Sequence, residues 1–320
     1  MDALYWVAAI CLAAAAIFMR IIILNLREAT DECVPRQRLP MRSPRAYPKP
    51  EAFVPMVLLV VLGLLLPASP AEAAQLPDRM TAIGDSISQA TDVCCWYGDH
   101  PGSSWSTGGR FWDGVRSHYE RLLEINPDIN RNNHNASRAG ARMAEAPAQA
   151  AGAVQHQADY VTILMGANDA CTSSSSTMTP VEDFQAQFNA TIQTLQSELP
   201  EAHIFVASIP NVYHLWQIYK DSSIARFVWK TARICQSMLA ASNTEEDRQA
   251  VLTRIREFND VLAAACGLYP RCRFDDYAVF NYPFERKHVS KLDFFHPSLS
   301  GQSVLASITW AKSWWSATAD

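Results

Sequence analysis

Several short motifs that identify common enzyme classes are absent from the sequence. There is no G-x-S-x-G nucleophile elbow, no H-E-x-x-H zinc motif, no phosphate-binding P-loop and no dinucleotide fingerprint. No C-x-x-C pair occurs either, which argues against a structural zinc site. These absences disfavour the ordinary α/β-hydrolase, metalloprotease, nucleotide hydrolase and dehydrogenase classes.

The chain also has no basic or acidic tail and no low-complexity repeat. Its 27 basic and 32 acidic residues give a formal net charge of -5 over 320 residues. Residues 75–320 alone carry 20 basic and 26 acidic side chains, so this part is mildly acidic as well. A mildly acidic protein without a basic stripe is a poor candidate for nucleic-acid binding.

Dense hydrophobic runs are confined to the N-terminus, at residues 4–18 and 53–66. The second run is short for a membrane span, which needs roughly 20 residues. It suits a signal-peptide core, because basic residues precede it and Ala71-Glu72-Ala73 follows as a small-residue cleavage pattern. Residues 25–52, between the runs, carry six basic residues and should stay cytoplasmic if the first run is a membrane helix. A translation start at Met41 would instead leave a simple signal peptide.

Each of these alternatives puts the rest of the chain outside the cytoplasm. We expect residues 1–74 to be an N-terminal signal or membrane-tether region and residues 75–320 to be one catalytic domain. The domain is then secreted, or held at the membrane through the N-terminal hydrophobic segments.

Cysteine usage agrees with export. Six of the 8 cysteines follow residue 74, and an even number in an exported chain is typical of disulfides. Six cysteines allow 15 pairings, so the sequence does not fix the connectivity. We favour one short and one long disulfide, and we assign no pairing to the adjacent Cys94 and Cys95. The favoured bridges are Cys266 with Cys272 and Cys171 with Cys235.

Short apolar segments alternate with helical segments from residue 79 onward. Residues 80–83, 160–165 and 203–209 are apolar runs of the kind found in buried parallel strands. Alternation of strands and helices predicts an α/β fold with a parallel sheet between helical layers. In such folds the active site lies beyond the carboxyl ends of the strands.

Other segments complete the expected order of elements. Apolar periodicity predicts a helix over residues 110–125, and residues 301–315 are predicted to form the terminal helix. Residues 128–135 and 274–280 are candidate short strands. Residues 211–240 are rich in Trp, Tyr and small polar side chains and suggest a long excursion from the sheet.

Four short polar blocks stand at the predicted strand and helix edges. Each alone has an ordinary structural explanation, because Gly, Asp, Asn and Ser are common in turns and helix caps. Their occurrence in this order along one chain makes coincidence a poor explanation. The blocks are Gly84-Asp85-Ser86, residues 135–140 (N-A-S-R-A-G), Gly166-Ala167-Asn168-Asp169 and Asp293-Phe294-Phe295-His296-Pro297.

The last block contains the residues that a nucleophilic serine requires. A serine hydroxyl is a poor nucleophile until a base takes its proton. His296 follows Asp293 by three residues, so one loop can present both side chains. Asp293 can accept the N–H of one ring nitrogen and direct the other nitrogen toward Ser86. Such chemistry requires neither a metal nor an organic cofactor.

The four blocks resemble those of the SGNH, or GDSL-type, hydrolases, a family named for one Ser, one Gly, one Asn and one His. The resemblance extends from about residue 80 to the end and is nearest to secreted actinobacterial esterases. It implies a three-layer α/β/α sandwich with a flavodoxin-like sheet, and a serine hydrolase that cleaves lipid or small acyl esters through an acyl-enzyme. It also implies a triad of Ser86, Asp293 and His296, with oxyanion-hole donors on Ser86, Gly140 and Asn168.

Aromatic side chains follow the nucleophile block and recur in residues 211–240. Trp96, Tyr213 and Trp216 are predicted to line an acyl-binding groove, although an ordinary aromatic core explains them equally well. Asp85 and Asp169 are predicted to bond loop backbone. Two other functions remain open: deacetylation of a carbohydrate or acyl transfer on the same triad, and a non-catalytic membrane-tethered binding protein.

Overall fold

The computed structural model describes residues 74–316. Apart from Ala74, the predicted N-terminal region, with both hydrophobic runs, therefore lies outside the described residues. Between residues 74 and 316, none of the helices combines the length and apolar character needed to span a membrane.

Five parallel strands form one sheet in the order 2-1-3-4-5. This is the flavodoxin-like doubly wound order, in which the chain changes direction between the first and third strands. Met80 pairs with Tyr160, and Gly84 pairs with Leu164 at the carboxyl edge. The strands are β1 (Met80–Gly84), β2 (Asn133–Asn135), β3 (Tyr160–Leu164), β4 (His203–Val206) and β5 (Cys272–Phe274).

Ten α-helices are found within residues 74–316, and the long ones cover the two faces of the sheet. They are α1 (His118–Ile125), α2 (Ala146–Gln155), α3 (Ala167–Ala170), α4 (Val181–Glu198), α5 (Val212–Tyr219), α6 (Ser223–Thr231), α7 (Gln236–Leu239), α8 (Glu245–Cys266), α9 (Ala278–Asn281) and α10 (Leu299–Trp310).

Two apolar clusters lie on opposite faces of the sheet. Strand β3 supplies both: Val161 and Ile163 pack with α2, α4 and α8, while Tyr160 and Leu164 pack with α1 and α10. Successive side chains of a strand point to opposite faces, which explains why β3 is apolar at every position except Thr162. The predicted three-layer α/β/α sandwich is confirmed.

Several predicted elements have other bounds in the structure. β2 covers only residues 133–135 of the strand expected over residues 128–135, and the terminal helix expected over residues 301–315 is α10, which ends at Trp310. The helix expected over residues 110–125 begins only at His118, because the Ser117 side chain accepts the N–H of Glu120 and caps it there. The strand expected over residues 274–280 is also wrong. β5 ends at Phe274, and the next residues turn through the left-handed conformation, with φ of +54° at Asp276 and +60° at Tyr277.

Two disulfides are found in the described chain, one across 64 residues and one across 6. Cys171 pairs with Cys235 and ties the segment after α3 to the start of α7. Cys266 pairs with Cys272 and joins the end of α8 to β5. These are the two pairings that the sequence favoured.

Candidate active site

Ser86 lies two residues beyond the carboxyl end of β1 and is 7% exposed. The strand end is held by Gln149 of α2, whose amide accepts the N–H of Gly84 at 2.8 Å and donates to its carbonyl at 3.0 Å. Glycine is required at position 84 because a Cβ there would lie 2.7 Å from the carbonyl oxygen of Leu164. The nucleophile block is therefore fixed between β3 and α2.

The loop before α10 presents Asp293 and His296 together. Asp293 Oδ1 accepts the backbone N–H groups of Phe295 at 2.9 Å and His296 at 3.1 Å. Ser290 closes the loop, because its N–H donates to the carbonyl of His296 at 2.8 Å. Phe294 has a φ of +58°, which lets the chain turn back tightly between the acid and the base.

The serine, the histidine and the acid form a continuous hydrogen-bonded chain. Ser86 Oγ lies 2.8 Å from His296 Nε2, and His296 Nδ1 lies 2.5 Å from Asp293 Oδ2. Burial lowers the pKa of His296, but the nearby carboxylates, Asp293 foremost and then Asp92 and Asp85, together raise the net pKa above the usual value. This arrangement can accept a proton from Ser86 and stabilise the resulting imidazolium.

Gly140 lies on the loop after β2 and Asn168 lies in the short helix α3, and polar side chains hold the two segments together. Asn168 Nδ2 donates to the carbonyl of Ala141 at 3.0 Å. Asp169 accepts the backbone N–H of Met143 at 2.9 Å and the hydroxyl of Thr179 at 2.8 Å. Gly140 is exposed and has a φ of +78°, a conformation that glycine adopts without strain.

Asp85 is completely buried beside the nucleophile, and its Oδ1 accepts the N–H of Ile87 at 2.9 Å. Burial raises the pKa of Asp85 to about 7, although the N–H of Ile87 and the nearby His296 lower it. Asp85 and Asp169 therefore both bond loop backbone, as their positions in the sequence suggested.

An apolar cavity of about 70 Å³ opens beside Ser86 and His296. Helix α5 forms one wall and the segment after α9 forms another. His214 lies here, and its Nε2 is 2.8 Å from the carbonyl oxygen of Phe284. The apolar lining consists mainly of Ile87, Leu215, Ile218, Phe284, Val289 and Phe295.

The three aromatic residues predicted to line the groove do not line this cavity. Tyr213 and Trp216 stack on each other with ring centroids 5.5 Å apart, and the guanidinium of Arg248 covers Trp216 at 4.4 Å. They share one face of α5 because they are three residues apart, and the cavity lies on another face. Trp96 is 62% exposed and contacts His100 instead.

Asp92 is a neighbour of the triad that no motif indicated. The nearest polar atoms of Asp92, Asp293 and His296 lie within 4.8 Å of one another, a spacing that could hold a metal ion. Asp293 already uses both oxygens for His296 and loop backbone, however. The position follows Ser86 by six residues in an irregular loop, so the sequence carried no periodic or motif signal for it.

Comparisons with known proteins assign the chain to a family. Residues 82–304 match the GDSL-like Lipase/Acylhydrolase family. Membrane-associated phospholipase B1 of Mus musculus is 21% identical over 249 residues, which are 70% of this chain and 17% of that protein. The chain thus spans about a sixth of the length of that curated relative.

Solved structures with similar folds include TesA, with 17% identity and a TM-score of 0.45 over 73% of this chain and 97% of that one. Phospholipase A1 from Streptomyces albidoflavus NA297 has 16% identity and a TM-score of 0.41 over 73% of this chain and 98% of its own. Because the family match spans most of the chain, from β1 into α10, the chain belongs to the GDSL-like lipase/acylhydrolase family.

Proposed function

We propose that the protein is an exported hydrolase that cleaves esters of short or medium-length acyl chains through a covalent acyl-Ser86 intermediate. The observation that carries the proposal is the hydrogen-bonded chain from Asp293 through His296 to Ser86, which opens onto an apolar cavity. A nucleophile, a base and an orienting acid in contact are the geometry that acyl transfer needs.

In the first half of the reaction, Ser86 Oγ attacks the ester carbonyl while His296 Nε2 takes the hydroxyl proton. Asp293 keeps the other ring nitrogen protonated and stabilises the imidazolium. His296 then gives the proton to the leaving alcohol, and an acyl group remains on Ser86. In the second half, His296 deprotonates a water that attacks the acyl carbonyl, and the acid is released.

The oxyanion of each tetrahedral intermediate needs preorganised donors. We assign the backbone N–H groups of Ser86 and Gly140 and the side-chain amide of Asn168. An amide nitrogen carries two donors, and in Asn168 the bond to the carbonyl of Ala141 uses one and orients the other. Removal of one such donor costs about 10²–10³ in turnover in other acyl-transfer enzymes.

The lining of the cavity supports an apolar acyl group rather than a sugar. A wall of Leu215, Ile218 and Phe284 gives hydrophobic contact and few hydrogen bonds to hydroxyl groups. The small volume, about 70 Å³, favours a short chain or the first part of a longer one. A lipid or small-molecule acyl ester is therefore the proposed substrate, in preference to an acetylated polysaccharide.

Export is supported by the two disulfides, since such bridges persist in oxidising compartments. The hydrophobic runs and the small-residue pattern before residue 75 support a removable leader or a tether. We propose that residues 75–320 are the catalytic domain outside the cytoplasm. N-terminal sequencing of protein recovered from the medium tests this: a start near residue 75 supports cleavage, and an intact N-terminus on membranes supports a tether.

The catalytic proposal is tested by hydrolysis of p-nitrophenyl esters from acetyl to palmitoyl, with Ser86→Ala beside the parent. We expect kcat of Ser86→Ala to fall by about 10⁴ or more, as for other serine nucleophiles. Ser88→Ala is the matched control, because Ser88 lies in the same turn and accepts the indole N–H of Trp105 at 3.3 Å. It should lose stability but keep activity. Equal activity of Ser86→Ala and the parent would refute the assignment.

A further inference from the structure

Asp92 is fixed beside the triad from two sides. On its own loop, its N–H donates to the carbonyl of Gly98 at 2.8 Å and its Oδ1 accepts the N–H of Gly98 at 2.6 Å. From the catalytic loop, Ser290 Oγ donates to the carbonyl of Asp92 at 2.5 Å. The same Ser290 donates its N–H to the carbonyl of His296. Asp92 and His296 are therefore positioned by one residue.

The side chain of Asp92 adjoins the carboxylate of Asp293. Polar atoms of Asp92, Asp293 and His296 lie within 4.8 Å of one another. Two carboxylates at this separation repel each other when both are ionised, and a proton on one relieves the repulsion. Burial raises the pKa of Asp92 and the neighbouring Asp293 raises it further, while the N–H of Gly98 and the nearby His296 lower it.

Asp293 has room for one more donor. Its Oδ1 accepts two backbone N–H groups and its Oδ2 accepts His296 Nδ1–H. A carboxylate offers about four lone-pair sites, so one is left after these three bonds. A neutral carboxylic acid at Asp92 can supply an O–H to it.

We infer that Asp92 is a positioning residue, a neutral carboxylic acid whose O–H donates to Asp293 and holds that carboxylate in line with His296. This inference rests on the proposed function of the triad. The active arrangement then has four members, Asp92, Asp293, His296 and Ser86. The proton on Asp92 stays where it is through the reaction, and only the proton between Ser86 and His296 moves.

Few ionisable groups face this arrangement. Tyr97 lies on the same loop as Asp92. The pKa of its hydroxyl is raised mainly by burial and further by the nearby Asp92 and Asp293. Asp293 and His296 face Asp92 from the catalytic loop, and Asp85 faces His296 from the end of β1. A neutral Asp92 limits the negative charge beside the imidazole.

The test compares Asp92→Asn and Asp92→Ala in the full chain, on p-nitrophenyl butyrate across pH. The amide of Asn can donate where the acid did, whereas Ala cannot. We expect kcat of Asp92→Ala to fall about tenfold or more with KM little changed, because a hydrogen bond to a charged group is lost. Its acid limb should move to higher pH, because the Asp293 carboxylate no longer accepts an O–H from residue 92 and attracts the imidazolium proton more strongly. Asp92→Asn should stay within about threefold of the parent, with its acid limb in place.

Asp99→Asn is the matched control, because this exposed acid lies on the same loop and accepts the hydroxyl of Thr91. It should leave the pH profile unchanged. A second readout is the NMR signal of the proton on His296 Nδ1, which should persist in Asp92→Asn and shift in Asp92→Ala. This signal reports on Asp92 even where no ester is turned over, so it separates failure of this inference from failure of the proposed function.

Three results would overturn the inference. In one, Asp92→Asn loses as much activity as Asp92→Ala and its acid limb moves to lower pH, which means that Asp92 acts as a negative charge. In another, both variants match the parent in kcat, pH profile and Nδ1 signal. In the third, activity falls only in proportion to the unfolded fraction and the Nδ1 signal of the folded protein is unchanged, which makes Asp92 merely structural.

Discussion

Asp293→Asn should abolish most activity through the tautomer of His296, with little change in the fold. Oδ1 of Asp293 accepts two backbone N–H groups, at 2.9 and 3.1 Å, and Oδ2 faces the ring nitrogen. An asparagine has only one acceptor oxygen. If that oxygen keeps the two backbone bonds, the NH₂ group faces His296 Nδ1 and forces the ring proton onto Nε2. The ring can then no longer accept the proton of Ser86.

The opposite amide orientation restores the productive tautomer but points the NH₂ group at two backbone donors. Loss of two hydrogen bonds costs about 2 kcal/mol, so this orientation is populated at a few per cent or less. The negative charge that stabilises the imidazolium is lost in both orientations. Together these effects predict a fall in kcat of about 10³–10⁴, which compares with the same substitution in other serine triads.

The assay is steady-state hydrolysis of p-nitrophenyl butyrate, with thermal unfolding measured in parallel. Asp99→Asn serves as the control for loss of an acid on a nearby loop and should keep near-parental activity. If Asp293→Asn retains more than about a tenth of the parental kcat while it is folded, tautomer control by Asp293 is refuted.

Three other predictions follow from the cavity and from the shifted pKa values. Leu215→Ala should widen the cavity and raise the ratio of kcat/KM for octanoate to that for butyrate several-fold. Tyr213→Ala, on another face of α5, should leave this ratio unchanged. If Leu215→Ala and the parent have the same ratio, the acyl chain binds elsewhere. The pKa of Asp85 rises from 3.8 to about 7 on folding, so the folded state holds the extra proton and stability should fall as pH rises through this interval. Asp85→Asn should remove this part of the pH dependence of the free energy of unfolding, measured with denaturant at several pH values. An unchanged pH dependence contradicts the prediction. The pKa of His296 is raised above 6.5, so kcat/KM should fall with decreasing pH at an acid limb above that value; a limb below pH 6 contradicts it.

The sequence predicted the layers of the fold better than the edges of its elements. Buried strands such as β3 carry apolar side chains on both faces. A single sequence displays such a strand as a short, nearly continuous apolar run. The start of α1 depends instead on the side-chain cap at Ser117, which also donates to the carbonyl of Gly108. The length of β5 depends on Asp276 and Tyr277, which adopt the left-handed backbone conformation although they are not glycine. Such local choices are decided by tertiary contacts that periodicity does not contain.

For the site, the sequence blocks identified the catalytic residues, but they did not identify the side chains that line the cavity beside them. The contact between Ser86 and His296 joins residues 210 positions apart, and it was indicated by the chemistry that a nucleophilic serine requires and by the resemblance of the blocks. The groove prediction chose Tyr213 and Trp216 by residue type, whereas helix geometry turns Leu215 and Ile218 toward the cavity. Side-chain direction on a helix follows from how the helix docks, and that docking is set by α8 and the catalytic loop.

Polar side chains, more than the apolar core, determine how the catalytic loops meet. Apolar packing is non-directional and tolerates small shifts, while a hydrogen bond weakens steeply when its angle changes. Gln149 clamps the end of β1, Asn168 and Asp169 hold the loop of Gly140, and Ser290 links the loop of Asp92 to that of His296. Each of these bonds joins a side chain to the backbone of a distant segment. The catalytic groups are therefore held in place before substrate arrives, which is the condition under which fixed donors stabilise an oxyanion at little reorganisation cost.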